Sequence, residues 1–397
     1  MPARIARQAF PSSTKKVHVL TPARNEDVRL RAALRAYRPA VDVAHLSAIA
    51  IVGAANEGMR LVGLCRDQGV EVVAMVDDHP AKVGTKIADR VVEPVSALAR
   101  IDRTVPVVIA SHRVLGAADR LRELGFTSIL PFGALQAMAP QLYPPHMFYD
   151  GLLDDLSENE GHYQWLRDVL ADARSRDVLD AVLTYRQTFD PLAFKPVLDD
   201  DDLYAPKRLF EFADDEVYVD GGSYDGDTIR SFIERVRGRF ADVYAFEPDP
   251  VTFQALTDNF RHEPRVHPIH AGLYSRAGQL RFRDDASRGA IFATDGDIDM
   301  PVTTIDETLG QRRPTYIKMN IEGAEIEALK GGRNVIGQWA PRLAISVYHR
   351  PSDLWRIPQL VLELNAGYDL YLRQHDGGII ETVLYALPRG MQSGARG

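Results

Sequence analysis

The chain of 397 residues carries a single cysteine, Cys65. One thiol excludes an internal disulfide framework and any cysteine-based zinc site. Its place in an apolar helical pattern reads as a buried, inert side chain. No window approaches the roughly eighteen uninterrupted apolar residues that a membrane-spanning helix needs. The N-terminus also lacks the basic-then-apolar layout of a secretory signal. A soluble, cytoplasmic protein with no membrane span is expected. A dense basic run is missing too: Lys and Arg number 47 against 55 Asp and Glu, for a net charge of -8. A surface that tracks nucleic-acid phosphates is therefore not expected. No repeat of solenoid period is present. Apolar material is plentiful, at 45% of residues, and the length exceeds what one core usually organises, so two domains and a connecting piece are expected.

The pattern along the chain divides it into four parts. Residues 1–46 mix Pro, Arg and Ala without sustained periodicity and read as an N-terminal arm. Residues 47–139 read as a small Rossmann-like α/β domain, with strands at Ala48–Val52, Val70–Val76, Pro106–Ala110 and Ser128–Pro131 separated by helical segments. Residues 140–214 are helical by pattern, end in the acidic run Asp199–Asp202, and read as a linker and cover. Residues 215–397 alternate strand and helix again, interrupted by a polar excursion of antiparallel strands from Leu273 to about Thr304. The fold class is α/β: a seven-stranded sheet in the second domain, with its last two strands forming a hairpin, preceded by a smaller Rossmann-like domain.

The chemistry concentrates in the last part. Val217–Asp220 reads as a strand, Gly221-Gly222-Ser223 to Gly226 as a glycine turn, and the residues from Asp227 as a helix. A second strand ends in Glu247-Pro248. Dinucleotide sites usually have glycine where Asp220 stands, which leaves room for pyrophosphate at the helix N-terminus. An anionic side chain there repels phosphate and attracts a cation, so the expected ligand is a positively charged nucleoside. S-adenosylmethionine fits: its ammonium and sulfonium near the glycine turn, its ribose hydroxyls held by Glu247. Asp220, Gly221, Gly222, Ser223, Gly226, Glu247, Pro248 and Asn320 are the candidate cofactor residues. An ordinary strand-to-helix turn is the alternative for the glycines, and a solvated strand end for Glu247.

Open α/β sheets bind ligands beyond the carboxyl ends of their strands, where Asn320, Glu322 and Glu325 follow Tyr316–Met319 and His349 follows Leu343–Val347. Asn320 suits a hydrogen bond to the cofactor's aminoacyl end or a substrate hydroxyl, and Glu322 and Glu325 suit bases; helix capping explains the same residues equally well. A neutral imidazole at His349 suits deprotonation of an alcohol. The candidate catalytic residues are thus His349, Asn320 and Glu322, with no metal site expected.

Together, Asp220–Thr228, Phe246–Pro250, Ile317–Gly331 and Tyr348–Pro358 resemble the FkbM family of methyltransferases, over roughly residues 180 to 388. The resemblance implies a class I methyltransferase sheet and S-adenosylmethionine-dependent O-methylation, commonly of a sugar or secondary-metabolite hydroxyl. It also implies that Asp220, Gly222 and Glu247 bind cofactor and that Asn320, Glu322 and His349 lie at the reacting end. The family usually has Asp where Asn320 stands, and a neutral amide neither acts as a carboxylate base nor ligates a divalent metal well. Residues 47–135 resemble the small nucleotide-binding-like domains attached to sugar-modifying enzymes, through Ile51–Gly58 and Val76–Gly84. They are expected either to hold a nucleotide or nucleotide-sugar, or to serve docking or homo-oligomerisation. Two rival readings stand beside this one. The first is an NAD-dependent oxidoreductase or epimerase acting through Gly53 and Asp77, and the second a non-catalytic partner subunit. The acceptor is expected to be a small molecule or glycan, and Arg281, Arg283 and Arg288 suggest either an anionic one or merely a solvated strand face.

Overall fold

The computed structural model describes residues 41–285, 289–292 and 298–390, without side chains over 282–298. Almost all of the 1–46 arm, together with Arg288, lies outside the described residues. The first domain is a six-stranded sheet in the order β3-β4-β2-β1-β5-β6. Its strands are β1 (Ala48–Val52), β2 (Glu71–Val76), β3 (Lys86–Ile87), β4 (Arg90–Glu93), β5 (Val107–Ile109) and β6 (Ile129–Pro131). All neighbours are parallel except β3 and β4. The four longest apolar runs are the strands expected from the pattern. β3 and β4 are additions: both are short, β3 faces solvent, and β4 buries a single residue, Val92, beside the exposed Val91, too little for a pattern the sequence could mark. Cys65 is fully buried, and burial pushes its thiol up to about 12, which keeps it protonated and inert.

Residues 140–214 hold the helices Leu152–Glu158, Glu160–Val169 and Ala173–Thr188. They are tied to the second domain by buried arginines. Arg186 donates to the carbonyl of Pro351 at 2.8 Å, and Arg373 pairs with Asp172 at 2.7 Å and donates to Ser175 Oγ at 2.9 Å. An unpaired guanidinium at such depth would be costly, so these contacts fix the linker in one place.

The second domain is a seven-stranded sheet in the order β16-β17-β15-β14-β7-β8-β9. Its strands are β7 (Val217–Gly221), β8 (Asp242–Phe246), β9 (Val266–Ile269), β14 (Tyr316–Met319), β15 (Arg342–Ser346), β16 (Tyr368–Gln374) and β17 (Thr382–Pro388). The strands from β9 to β15 are parallel, and β17 runs antiparallel to both β15 and β16. Buried on both faces, β14 and β15 carry no exposed position. The helix Pro250–Phe260 starts where the sequence places it: Asp249 accepts the N–H groups of Val251 and Thr252, and Pro250 occupies the first turn. The polar excursion forms a separate four-stranded sheet of β10 (Gly272–Leu273), β13 (Ile298–Thr303), β11 (Gly278–Asp285) and β12 (Gly289–Phe292), in that spatial order. No helix among the described residues is long and apolar enough to cross a membrane.

The end of the central strands opposite the glycine turn is locked by a buried ion pair. Glu216, just before β7, accepts from the guanidinium of Arg342 in β15, from Thr315 before β14, and from the N–H of Ala213 at 2.7 Å. Breaking one half of such a pair leaves the other charge buried, a penalty of about 3 kcal/mol or more. Glu216→Ala is therefore expected to lower the free energy of urea unfolding by about that amount, with ligand affinity at the opposite end unchanged.

Candidate functional site

The glycine turn after β7 is held from two sides. The N–H groups of Gly222 and Ser223 both donate to the carbonyl of Phe246, at 3.1 and 3.0 Å. Their carbonyl side is held by Lys318 of β14, whose ammonium donates to the oxygens of Gly221 at 3.2 Å and Gly222 at 2.8 Å. Lys318 also forms an ion pair with Asp220 Oδ1 at 2.8 Å, because strand register sets the two residues side by side. Gly222 has φ +74°, and a Cβ there would come within 2.0 Å of the carbonyl oxygen of Asn320. Only glycine lets the two loops approach so closely.

This arrangement changes the reading of Asp220. Its carboxylate is fully buried, paired with Lys318, and accepts from Thr228 Oγ1 at 2.6 Å. Burial pushes its carboxyl up, opposed by Lys318. The attraction of a cation expected of Asp220 is thus answered inside the protein. Its role is to anchor the turn rather than to present free charge. Ser223 is also buried and donates to the carbonyl of Asp220 at 2.9 Å. Gly226 begins the helix Asp227–Arg235 at φ +86°.

Glu247, after β8, faces the same rim. Its two oxygens accept one N–H each, from Tyr224 at 2.9 Å and Asp249 at 3.0 Å. The Thr252 hydroxyl also bonds this carboxylate, which leaves acceptor capacity for a ligand hydroxyl. Burial pushes its carboxyl up, and the Asp249 and Tyr224 N–H groups and the Thr252 hydroxyl oppose this. Pro248 follows, its carbonyl bonded to His270 at 3.1 Å. Tyr224, exposed and at φ +49°, stands over this corner. The N–H groups that would cradle a phosphate are spent on Phe246, whereas the carboxylate that suits a ribose is in place.

The reacting rim lies across Asn320, after β14. Asn320 Oδ1 accepts from the hydroxyl of Tyr348 at 3.2 Å. Asn320 does not cap the following helix. That helix starts at Glu325 without a side-chain cap, and Glu325 instead accepts the N–H of Ile321, three residues before the N-cap Ala324, at 2.8 Å. His349 Nδ1 lies 2.9 Å from Glu325 and Nε2 lies 3.6 Å from Glu322. Burial pushes the imidazole down, but the charges of Glu325 and Glu322 more than offset this and raise it to about 9. Burial alone would raise Glu325, yet the imidazolium and the Ile321 N–H hold it below the usual carboxylate range. Burial and the charge of Glu325 lift Asp353 to about 7.

His349 as a neutral base is therefore corrected. It is fully buried, and with its pKa raised to about 9 both ring nitrogens carry hydrogen near neutral pH, which leaves no lone pair for a base. Of the residues expected to be catalytic, Glu322 is the carboxylate with access to solvent, its side chain 26% exposed. Its backbone stands at φ +53°, an unfavourable conformation for a non-glycine residue, followed by Gly323 at φ +88°. Of the three arginines read from the excursion, Arg281 lies 4.0 Å from Asp299 with both exposed, which fits a solvated strand face. Arg288 and the side chain of Arg283 are outside the description. In the first domain, Asp77 does not present a free carboxylate. It accepts the N–H groups of Ala54 at 2.7 Å and His79 at 2.8 Å and pairs with Lys82 at 3.3 Å. Lys318 is the residue that sequence reasoning missed, though a lysine within an apolar central strand is itself a signal, since buried charge needs a partner.

The charge state of His349 has a measurable sign. Its pKa is raised above the ordinary 6.5, so the stability it contributes is complete below that value and is lost as pH rises through about 9. Nitrogen-15 spectra of the imidazole are expected to show both ring nitrogens protonated at pH 7.5. A singly protonated ring at that pH would contradict the assignment.

Residues 220–376 match the family model of the methyltransferase FkbM domain. A crystal structure of a methyltransferase FkbM from Methylobacillus flagellatus is similar over 91% of this chain and 98% of that one, at 25% identity and a TM-score of 0.71. The hexuronic acid methyltransferase AglP of Haloferax volcanii is 35% identical over 103 residues, 24% of this chain and 43% of that protein. The redox-sensing transcriptional repressor Rex of Chloroflexus aggregans is 31% identical over 81 residues, 19% of this chain and 38% of the repressor. The chain thus spans less than half the length of these two curated relatives. With the glycine turn, the Glu247 carboxylate and the Asn320–Glu322 loop all inside the matched segment, residues 220–376 are a methyltransferase domain of the FkbM family.

Proposed function

We propose that the chain is an S-adenosylmethionine-dependent O-methyltransferase whose acceptor is a hydroxyl of a sugar, glycan or secondary metabolite. The observation that carries this reading is the pairing of a glycine turn whose Gly222 and Ser223 N–H groups are already consumed with a rim carboxylate, Glu247, that keeps acceptor capacity for a ligand hydroxyl. Such a site suits a ribose and does not suit a pyrophosphate. The relative named as a hexuronic acid methyltransferase supports the sugar acceptor.

S-adenosylmethionine supplies an electrophilic methyl group with a neutral thioether as leaving group. Glu247 would hold its ribose, with Gly221, Gly222 and the backbone at Asn320 shaping the wall beside it. The chain's own task is to place the acceptor oxygen in line and take its proton, and orientation is the larger part of the acceleration. Glu322 carries the proton transfer through the part of its carboxylate that reaches solvent, while its buried Oε2 faces His349 Nε2 at 3.6 Å. His349 and Glu325 stand behind Glu322 and hold it, acting as positioning residues. The strained backbone at Glu322 fixes where its carboxylate points, at a cost of about 1–3 kcal/mol. Asn320, tethered to Tyr348, orients the acceptor with its amide.

Two measurements test this. Calorimetric titration with S-adenosylhomocysteine is expected to show binding weakened about tenfold or more in Glu247→Gln, with NAD silent. An absence of S-adenosylhomocysteine binding, or binding of NAD alone, would sink the reading. Glu322→Gln is expected to retain that binding while turnover of an identified acceptor falls about a hundredfold or more. Turnover close to wild type in this variant would remove Glu322 from the proton transfer.

A further inference from the structure

A cleft of about 490 Å³ opens beside the reacting rim, lined by Met147, Asp150, Asp155, Arg350, Pro351 and Ser352, among others. Its volume falls within the roughly 300–1,000 Å³ of small-molecule sites. Two walls meet there. One is the segment that immediately follows His349, and the other comes from the helical linker. The position is continuous with the site: Arg350 Nε lies 3.2 Å from where a Cβ on Gly323 would sit, next to Glu322. Phe148, beside Met147, packs its ring 5.7 Å from Tyr348 and 6.1 Å from His349.

The charges of this cleft are unusual. Arg350 and Asp150 are both exposed, both line it, and their side chains make no hydrogen bond or ion pair with any described residue. Opposite charges facing one small space without closing on each other leave a gap for a ligand that satisfies both. Arg350 can only donate and Asp150 can only accept. Asp155 is already engaged by Asn159, Tyr163 and Trp355. Ser352 adds a group that does either. Met147 and Pro351 supply apolar contact between the polar groups. A ring with alternating hydroxyls and C–H faces matches this pattern. Each hydroxyl can donate toward Asp150 or accept from Arg350, while its ring lies on the apolar side chains.

The geometry points to this cleft as the acceptor subsite for a neutral pyranose ring, bridged between Asp150 and Arg350. The inference rests on the methyltransferase reading above and narrows its acceptor class. A uronic ring is disfavoured in this position. Two carboxylates line the cleft against one guanidinium, so an added negative charge meets more repulsion than attraction.

Saturation-transfer NMR of the full chain with S-adenosylhomocysteine present tests it. The probes are the methyl α- and β-pyranosides of glucose, mannose and galactose, and methyl glucuronide. At least one neutral pyranoside is expected to bind, with affinity about tenfold weaker in Asp150→Asn and in Arg350→Gln. S-adenosylhomocysteine binding, measured on the same samples, reports whether each variant is folded. The proposal is overturned if only methyl glucuronide binds, if no pyranoside binds, or if neutral pyranosides bind wild type and both variants alike. Any of these with S-adenosylhomocysteine still bound leaves the methyltransferase reading intact. Loss of S-adenosylhomocysteine binding in the wild type removes that reading instead.

Discussion

The rest of the site depends on one buried ammonium. Lys318 lies in the middle of the second sheet, 2% exposed, and strand register sets it beside Asp220. An unpaired charge at that depth is prohibitive, so Lys318 and Asp220 require each other. Their pairing has a consequence beyond charge balance. The ammonium also donates to the carbonyls of Gly221 and Gly222. A turn rich in glycine has the most conformational freedom to lose on ordering. Two bonds from Lys318 on one side and the Phe246 carbonyl on the other remove that freedom before any ligand arrives. The cofactor rim is thus preorganised from inside the sheet, and ligand binding does not carry the ordering cost.

A second charged arrangement governs the acceptor side. His349, Glu322, Glu325 and Asp353 share a small volume, three carboxyl groups around one imidazole. They cannot all be charged without repulsion, and the system settles by protonating the imidazole and by lifting Asp353 to about 7. This division of labour leaves Glu322 as the solvent-accessible carboxylate of the group, with a cation at its back, as the proposed proton transfer requires. The strained φ at Glu322 belongs to the same design: a glycine-like conformation on a charged residue persists only where surrounding contacts over-determine it.

Much of this fold is legible in the sequence because its signals are local. The run Tyr316–Met319 reads as a strand and has those bounds in the structure. The glycine turn and the carboxylates at strand ends are visible for the same reason. What escapes is decided by partners far apart in the chain. Asp220 reads as a free charge until Lys318, ninety-eight positions later, is set against it. His349 reads as a neutral base until two carboxylates, Glu325 and Glu322, outweigh its burial and hold its proton. Strands β3 and β4 escape because they are short and bury a single residue, Val92, too little for a pattern. The acceptor cleft escapes because Asp150 and Arg350, two hundred positions apart, converge only through the packing of the linker.

The same packing accounts for the first domain's position. The hairpin tip between β16 and β17 reaches it directly: Leu115 N–H donates to the carbonyl of Gly377 at 3.1 Å, and Arg113 pairs with Asp376 at 3.1 Å. At Gly378 a Cβ would come within 1.8 Å of the carbonyl oxygen of His112, so the contact is backbone against backbone. Inside the tip, Gln374 donates to the carbonyls of Asp376, Gly378 and Ile380, which holds the loop in the shape that docks. The linker that leaves the first domain then carries His146, Phe148 and Asp150 back to the reacting rim, with the rings of His112, His146 and Phe148 in mutual contact. One wall of the cleft is therefore anchored on the first domain and the other on β15. The distance between Asp150 and Arg350 is set by how the two α/β units pack, so the first domain shapes the acceptor side without contributing a residue to the cofactor turn.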